Sequence, residues 1–210
     1  MRACASIPGE LTREPRRSHR IFRIENPMLV SVTEEGNITL DIRYASSNNI
    51  LGRPIYKRSV ALLVPEAHRQ LLIAAERAKA LGLGVTVYDA FRPLEAQWIF
   101  WDALEDKTFV GDPRLGGTHP RGIAVDLTLS DLVSGKELEM GTAFDALTSL
   151  SGHHALEGLP ADAIRNRAIL LGIMTATGWA HYGPEWWHYN LPNIHDHEPL
   201  AAADVPQGPM

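Results

Sequence analysis

A chain of 210 residues, 45% of them hydrophobic and 21% charged, is long enough for one globular domain with a sizeable core. Its 20 Lys+Arg against 25 Asp+Glu give a formal charge of −5, without the clustered basic excess of a nucleic-acid surface. The single cysteine, Cys4, excludes an intramolecular disulfide framework and leaves His and carboxylates as the main ligands for any metal.

The stretch from Met1 to Arg20 is polar and Arg-rich and is broken by Pro8 and Pro15. It lacks the continuous apolar run of a secretory signal, and no later run is long enough to span a membrane. The expectation is a cytoplasmic protein with residues 1–24 disordered. The alternation in Ile38-Thr39-Leu40-Asp41-Ile42-Arg43-Tyr44 predicts a strand, and Ala45-Ser46-Ser47-Asn48-Asn49 a turn-forming loop. Pro65 opens a helix in which Leu71, Leu72, Ala75 and Ala78 recur at helical spacing, and Gly82 ends it. Val85 to Asp89 predicts a β-branched strand running into Ala90-Phe91-Arg92-Pro93, after which Leu94 to Leu104 reads as helix. Gly116-Gly117 marks a loop, Ile123 to Leu129 alternates as a strand, and Asp162 to Gly172 reads as helix. Trp179 to Asn190, aromatic-rich and interrupted by Gly183-Pro184, fits one or two strands joined by a turn. Strands and helices in this order, without regular βαβ spacing, predict one α+β domain over residues 25–194. Its sheet is expected to be central, antiparallel or mixed, and flanked by helices. The end of the chain is rich in Pro, Ala and Asp, so residues 195–210 are expected to form a loose tail.

Two short segments concentrate reactive side chains. In Gly117-Thr118-His119-Pro120-Arg121-Gly122-Ile123-Ala124-Val125-Asp126, His119 lies just before a strand and Asp126 within it. Along that strand Ala124, Asp126 and Thr128 share one face, and Ile123, Val125 and Leu127 share the other. With the apolar set in the core, Asp126 looks toward a cleft. In Glu185-Trp186-Trp187-His188, residues three apart would point to opposite faces of a straight strand. Glu185 and His188 share a site only if the chain bends, and Gly183-Pro184 is placed for that bend. Two His and one Asp supply three N/O ligands, the number a catalytic zinc takes with one position kept for water. A carboxylate nearby but off the metal can serve as general base. Each residue also has a plainer reading: His119 as a surface-loop histidine, Asp126 as a hydrogen-bonded strand carboxylate, Trp186-Trp187 as core packing. Spacing alone does not choose between them.

His119-x-x-Gly122-x-Ala124-x-Asp126, followed by Glu185-x-Trp187-His188, resembles the D-alanyl-D-alanine dipeptidases of the vancomycin-resistance type, within the wider group of zinc D,D-peptidases. Tyr44-Ala45 with Asn48-Asn49, Tyr88-Asp89-Ala90-Phe91-Arg92-Pro93 and Met140-Gly141-Thr142-Ala143-Phe144-Asp145 agree, so the likeness runs from about Ile38 to Pro192. It implies one Zn2+ held by His119, Asp126 and His188, Glu185 as general base, and Arg92 stabilising the tetrahedral intermediate. It also implies that Tyr44 and Asp145 enclose the free amino end of a dipeptide, the alternative for both being core hydrogen bonding. The reaction expected is hydrolysis of D-Ala-D-Ala to two D-alanines, with no nucleic-acid or membrane partner. The alternatives are a D,D-carboxypeptidase acting on cell-wall peptides and a non-catalytic sensing module of the same fold. One position departs from the family pattern: Gly117 stands where a serine is usual, and Thr118 is the neighbour able to supply a hydroxyl. His153, His154, His181, His195 and His197 have no counterpart in the matching segments.

Overall fold

A computed structural model gives residues 29–107 and 110–210, so the segment expected to be disordered, 1–24, lies outside the described residues. In chain order the strands and α-helices are β1 (Val30–Val32), β2 (Ile38–Leu40), β3 (Ala61–Leu63), α1 (Pro65–Ala80), β4 (Leu83–Asp89), α2 (Leu94–Ala103), β5 (Ala124–Asp131), α3 (Ala161–Ala176), β6 (Ala180–His181) and β7 (His188–Asn190). Pro65 forgoes no hydrogen bond at the first turn of α1, where its amide would be unpaired anyway. Ala67, Leu71, Ala74, Ala75 and Ala78 recur at three- and four-residue steps and form the buried face of α1. That face packs on β4, with α3 beside it against β5 and β6.

The main sheet has the order β2-β4-β5-β7-β6, with β2 parallel to β4 and the other pairs antiparallel. A small antiparallel sheet pairs β1 with β3. The fold is therefore α+β with a mixed central sheet flanked by helices, as the element order implied. Ala124 through Ser130 are all buried, so β5 is covered on both faces. Val125, Leu127 and Leu129 alternate with Ala124, Asp126 and Thr128; of the second set Asp126 lines the cavity described below.

Two strands escaped the sequence reading, β1 and β3, and a third ended earlier than expected. The chain leaves extended geometry after Leu40, and a 3-10 turn at Arg43–Ala45 swings Tyr44 inward to 2% exposure. The tail also departs from expectation. Leu200 and Val205 are buried, and the carbonyl of Pro209 accepts from the amides of Lys57 and Arg58 at 2.8 and 3.1 Å. Residues 195–210 thus lie against the body of the fold rather than hanging loose. Among the described residues no helix is long and apolar enough to cross a membrane.

Candidate metal centre

The sheet builds most of the site. On β5, Asp126 stands directly across from His188 of β7, and paired residues on neighbouring antiparallel strands point to the same face. On the other side β4 carries a bulge after Val87: Val87 pairs with Leu127, but the next pair is Asp89 with Asp126. The extra residue, Tyr88, shifts the pleat by one, so that Asp89 joins the row. Asp89, Asp126 and His188 therefore lie side by side across three strands.

The remaining groups come from turns. His119 opens a 3-10 turn, His119–Arg121, immediately before β5. Its Nδ1 donates to the carbonyl of Ala90 at 2.6 Å, which orients the ring so that Nε2 is aimed at the row. His188 Nε2 lies 3.2 Å from Thr118 Oγ1; in the neutral tautomer that donates to this hydroxyl, Nδ1 is the nitrogen left to act as a ligand. The inner atoms then converge: His119 Nε2 is 3.1 Å from His188 Nδ1 and 3.3 Å from Asp126 Oδ1, and His188 Nδ1 is 3.0 Å from Asp126 Oδ1. Two imidazole nitrogens and a carboxylate oxygen at this range need a proton or a metal ion between them, and a metal ion would take all three as donors. Three donors placed tetrahedrally at about 2.0–2.1 Å from one ion lie about 3.3 Å apart, close to the spacing found. His119, Asp126 and His188 thus form a buried group suited to a metal ion. Partners on the outer nitrogens, which fix tautomer and ring orientation, are what such ligands require.

Glu185 reaches the same cavity by the bend anticipated for it, although two turns are involved. The Glu185 amide donates to Tyr182 O at 3.1 Å, and the His188 amide to Glu185 O at 3.4 Å. The second turn brings side chains three residues apart to one side. The intervening Trp186 and Trp187 are buried, and Trp186 Nε1 donates to Thr142 Oγ1 at 2.9 Å.

Arg92 is held on four sides. Its Nε donates to Asp89 Oδ2 at 2.9 Å and its Nη1 to Gln97 Oε1 at 3.1 Å, while Nη2 lies 3.5 Å from both Tyr44 Oη and Asp126 Oδ2. Tyr44 donates to the Asp145 carboxylate, at 3.0 and 3.1 Å from its two oxygens. Asp145 has φ 60°, a left-handed conformation that asparagine and aspartate tolerate better than other side chains. Strain of this kind persists where surrounding structure holds it, often at a functional site.

All eight residues singled out in the sequence line one cavity of about 360 Å3: Tyr44, Arg92, Thr118, His119, Asp126, Asp145, Glu185 and His188. The other histidines noted in the sequence are not among its walls. Gly117 is, with φ +38°; an added Cβ would meet only Pro120 Cδ at 3.5 Å, so backbone conformation rather than space favours glycine there. The nearby Thr118 hydroxyl is already engaged by His188. Asp89 and Gln97 were not recognised as parts of the site. Asp89 accepts from Arg92 and from Tyr56 Oη at 2.9 Å, and lies 3.7 Å from His119 Nδ1. Gln97 ties Arg92 to the carbonyl of Gly111. A carboxylate at a strand end three residues before an arginine was the available signal for Asp89.

The D-ala-D-ala dipeptidase family matches residues 29–204. The chain belongs to that family, and is a peptidase. It is 38% identical over 165 residues to a D-alanyl-D-alanine dipeptidase of Escherichia coli (strain K12), covering 79% of this chain and 84% of that one. The enzyme of the same name from Enterococcus faecium is 33% identical over 171 residues, covering 72% and 84%. The one from Streptomyces coelicolor is 33% identical over 177 residues, covering 73% and 86%.

The electrostatics of this dipeptidase-family cavity favour cations. Asp126, Asp145 and Glu185 line it and Asp89 stands behind, against the single guanidinium of Arg92. Burial opposes ionisation of Asp126, but His119 and His188 outweigh it and hold its carboxyl below the usual range. Glu185 and Asp145 go the other way. Burial, reinforced by the Asp126 charge, pushes Glu185 up to about 7 and Asp145 up to about 8.

The Asp145 shift has a sign that can be tested on the metal-free protein. Below about pH 4 the carboxyl is protonated whether folded or unfolded, and costs nothing. Between there and about 8 the unfolded chain ionises while the folded one stays neutral, so stability falls as pH rises. Asp145→Asn removes that loss. Its gain in Tm over wild type should be larger at pH 8 than at pH 5, each kcal/mol showing as about 2–4 °C in a domain of this size. Equal gains at both pH values would mean that Asp145 is already ionised in the fold.

Proposed function

We propose that this peptidase uses a zinc ion held by His119, Asp126 and His188 to hydrolyse D-Ala-D-Ala to two D-alanines. The observation that carries the metal is the convergence of two imidazole nitrogens and a carboxylate oxygen at 3.0–3.3 Å inside a cavity that also holds Glu185. The dipeptide follows from the activity named for the relatives and from a cavity at the small end of the range for ligand sites. Zinc bound there would bring the pKa of water down to about 7 and polarise the scissile carbonyl. Glu185 takes the proton from the attacking water on its carboxylate and returns it to the leaving amine. Arg92 faces the oxygen that gains charge; its fork is already oriented by Asp89 and Gln97, so little reorganisation is needed as charge develops. Asp145, oriented by Tyr44, receives the substrate ammonium.

Metal analysis of purified protein tests the centre. About one zinc per chain is expected, and D-Ala release should stop with chelator and return with zinc. His119→Ala and His188→Ala should each lose the ion. Unchanged zinc content in both would remove these residues from the site.

A further inference from the structure

The turn that carries His119 is fixed from outside the cavity, by a residue and a segment to which no role has yet been given. The Arg121 guanidinium spreads over backbone carbonyls: Nε donates to Gly117 O at 2.9 Å, Nη2 to Leu115 O at 3.3 Å, and Nη1 to the carbonyl of His197 in the tail. Among the described residues no carboxylate pairs with it, so its bonds serve geometry rather than charge neutralisation. The tail completes the arrangement through Leu200. The Leu200 amide donates to Pro120 O at 2.8 Å, and its carbonyl accepts from the Leu94 amide at 3.1 Å. One tail residue therefore bridges the turn bearing His119 and the start of α2, two residues after Arg92. The Arg92 amide itself donates to His119 O at 3.3 Å. The close fit extends to Gly116, with φ +77°: a Cβ there would come within 2.8 Å of Pro199 Cγ and 3.2 Å of Arg121 Nη2.

We propose that Arg121 is a positioning residue for the metal centre, and that the C-terminal segment from His197 to Leu200 is the anchor against which it holds Gly117, Thr118 and His119. Thr118 orients His188 and His119 is itself a ligand, so slack in this turn reaches two of the three donors. The inference rests on the zinc reading, and its test separates the two. In the full-length protein, Arg121→Gln raises the zinc dissociation constant, measured by chelator competition, about 10–100-fold, the usual effect of losing an outer partner. It lowers kcat for D-Ala-D-Ala more than it raises KM. In the metal-free state, amide exchange in the peptide spanning residues 115–123 becomes faster than in wild type. Arg121→Lys keeps the charge but cannot reach three carbonyls in a plane, and falls between the two. Arg58→Ala is the control. It cuts a different tail contact, at Pro206 O, and should lower Tm while leaving zinc affinity intact. The proposal is overturned if Arg121→Gln or Arg121→Lys matches wild type in affinity and exchange. It is also overturned if Arg58→Ala loses zinc in proportion to its loss of Tm, since zinc would then track overall stability. Should wild type bind no zinc, the reading of the site fails instead, and exchange in the metal-free protein decides the role of Arg121 alone.

Discussion

Glu185→Gln is expected to lower kcat for D-Ala-D-Ala by about 10²–10⁴, the usual worth of general acid–base catalysis, with the zinc content at the wild-type level. The amide has the shape of the carboxyl and preserves the Tyr182–His188 double turn, whose hydrogen bonds are all backbone. What it loses is the capacity to accept and return a proton. In the metal-free cavity burial pushes the Glu185 carboxyl up to about 7, and a bound cation would draw it back down toward the usual carboxylate range. Metal content and steady-state kinetics on one preparation separate the possible roles. Loss of zinc would make Glu185 a ligand, and near-normal turnover would take it out of the chemistry.

Blocking the substrate's amine is the second large effect. N-acetyl-D-Ala-D-Ala is expected to lose a factor of about 10³ or more in kcat/KM relative to the free dipeptide. Acetylation replaces an ammonium with a neutral amide, so Asp145 loses the cation that would draw it into its ionised form in this desolvated wall, and the ion pair is not made. Tyr44 holds that carboxylate by one hydroxyl, too little to replace a charge. Asp145→Asn should narrow the gap mainly by weakening the free dipeptide. The same substitution is expected to stabilise the metal-free fold at pH 8, so activity and stability would move in opposite directions at one residue. Comparable kcat/KM for the two substrates would favour an open cleft and a carboxypeptidase. An unchanged ratio in Asp145→Asn would make the rejection of the acetylated substrate steric.

Much of this could be read from the sequence, for identifiable reasons. α1, α2 and α3 carry regular spacing or clear start signals, β4 is rich in β-branched residues, and β5 alternates over enough residues to register. The eight site residues were found because their segments resemble a known family, not because spacing required a metal. β1 and β3 were missed because a three-residue strand has no periodicity to detect, and Ala61-Leu62-Leu63 is buried without alternation. The shortened β2 has a different cause. Alternation continues through Tyr44, but the ring packs inward against Phe100 at 4.6 Å and its hydroxyl meets Asp145, which extended geometry would not allow. The tail was misjudged because its composition reads as unstructured, while its attachment depends on single apolar residues and backbone carbonyls that leave no compositional trace. Asp89 was passed over because only the bulge at Tyr88 turns it toward Asp126, and a bulge is a matter of register between strands distant in sequence.

The row of Asp89, Asp126 and His188 also governs how this protein can tolerate change. Its spacing comes from main-chain pairing, which nearly every residue type supplies alike. Side chains behind the sheet can therefore be exchanged for others of similar volume and leave the row aimed as before. Adding or removing one residue within β4, β5 or β7 does the opposite, because each step along a strand reverses the face presented. Drift in composition and drift in length are thus unequal hazards here: the first wears at stability by increments, while the second turns a cavity residue or its neighbour away in a single event.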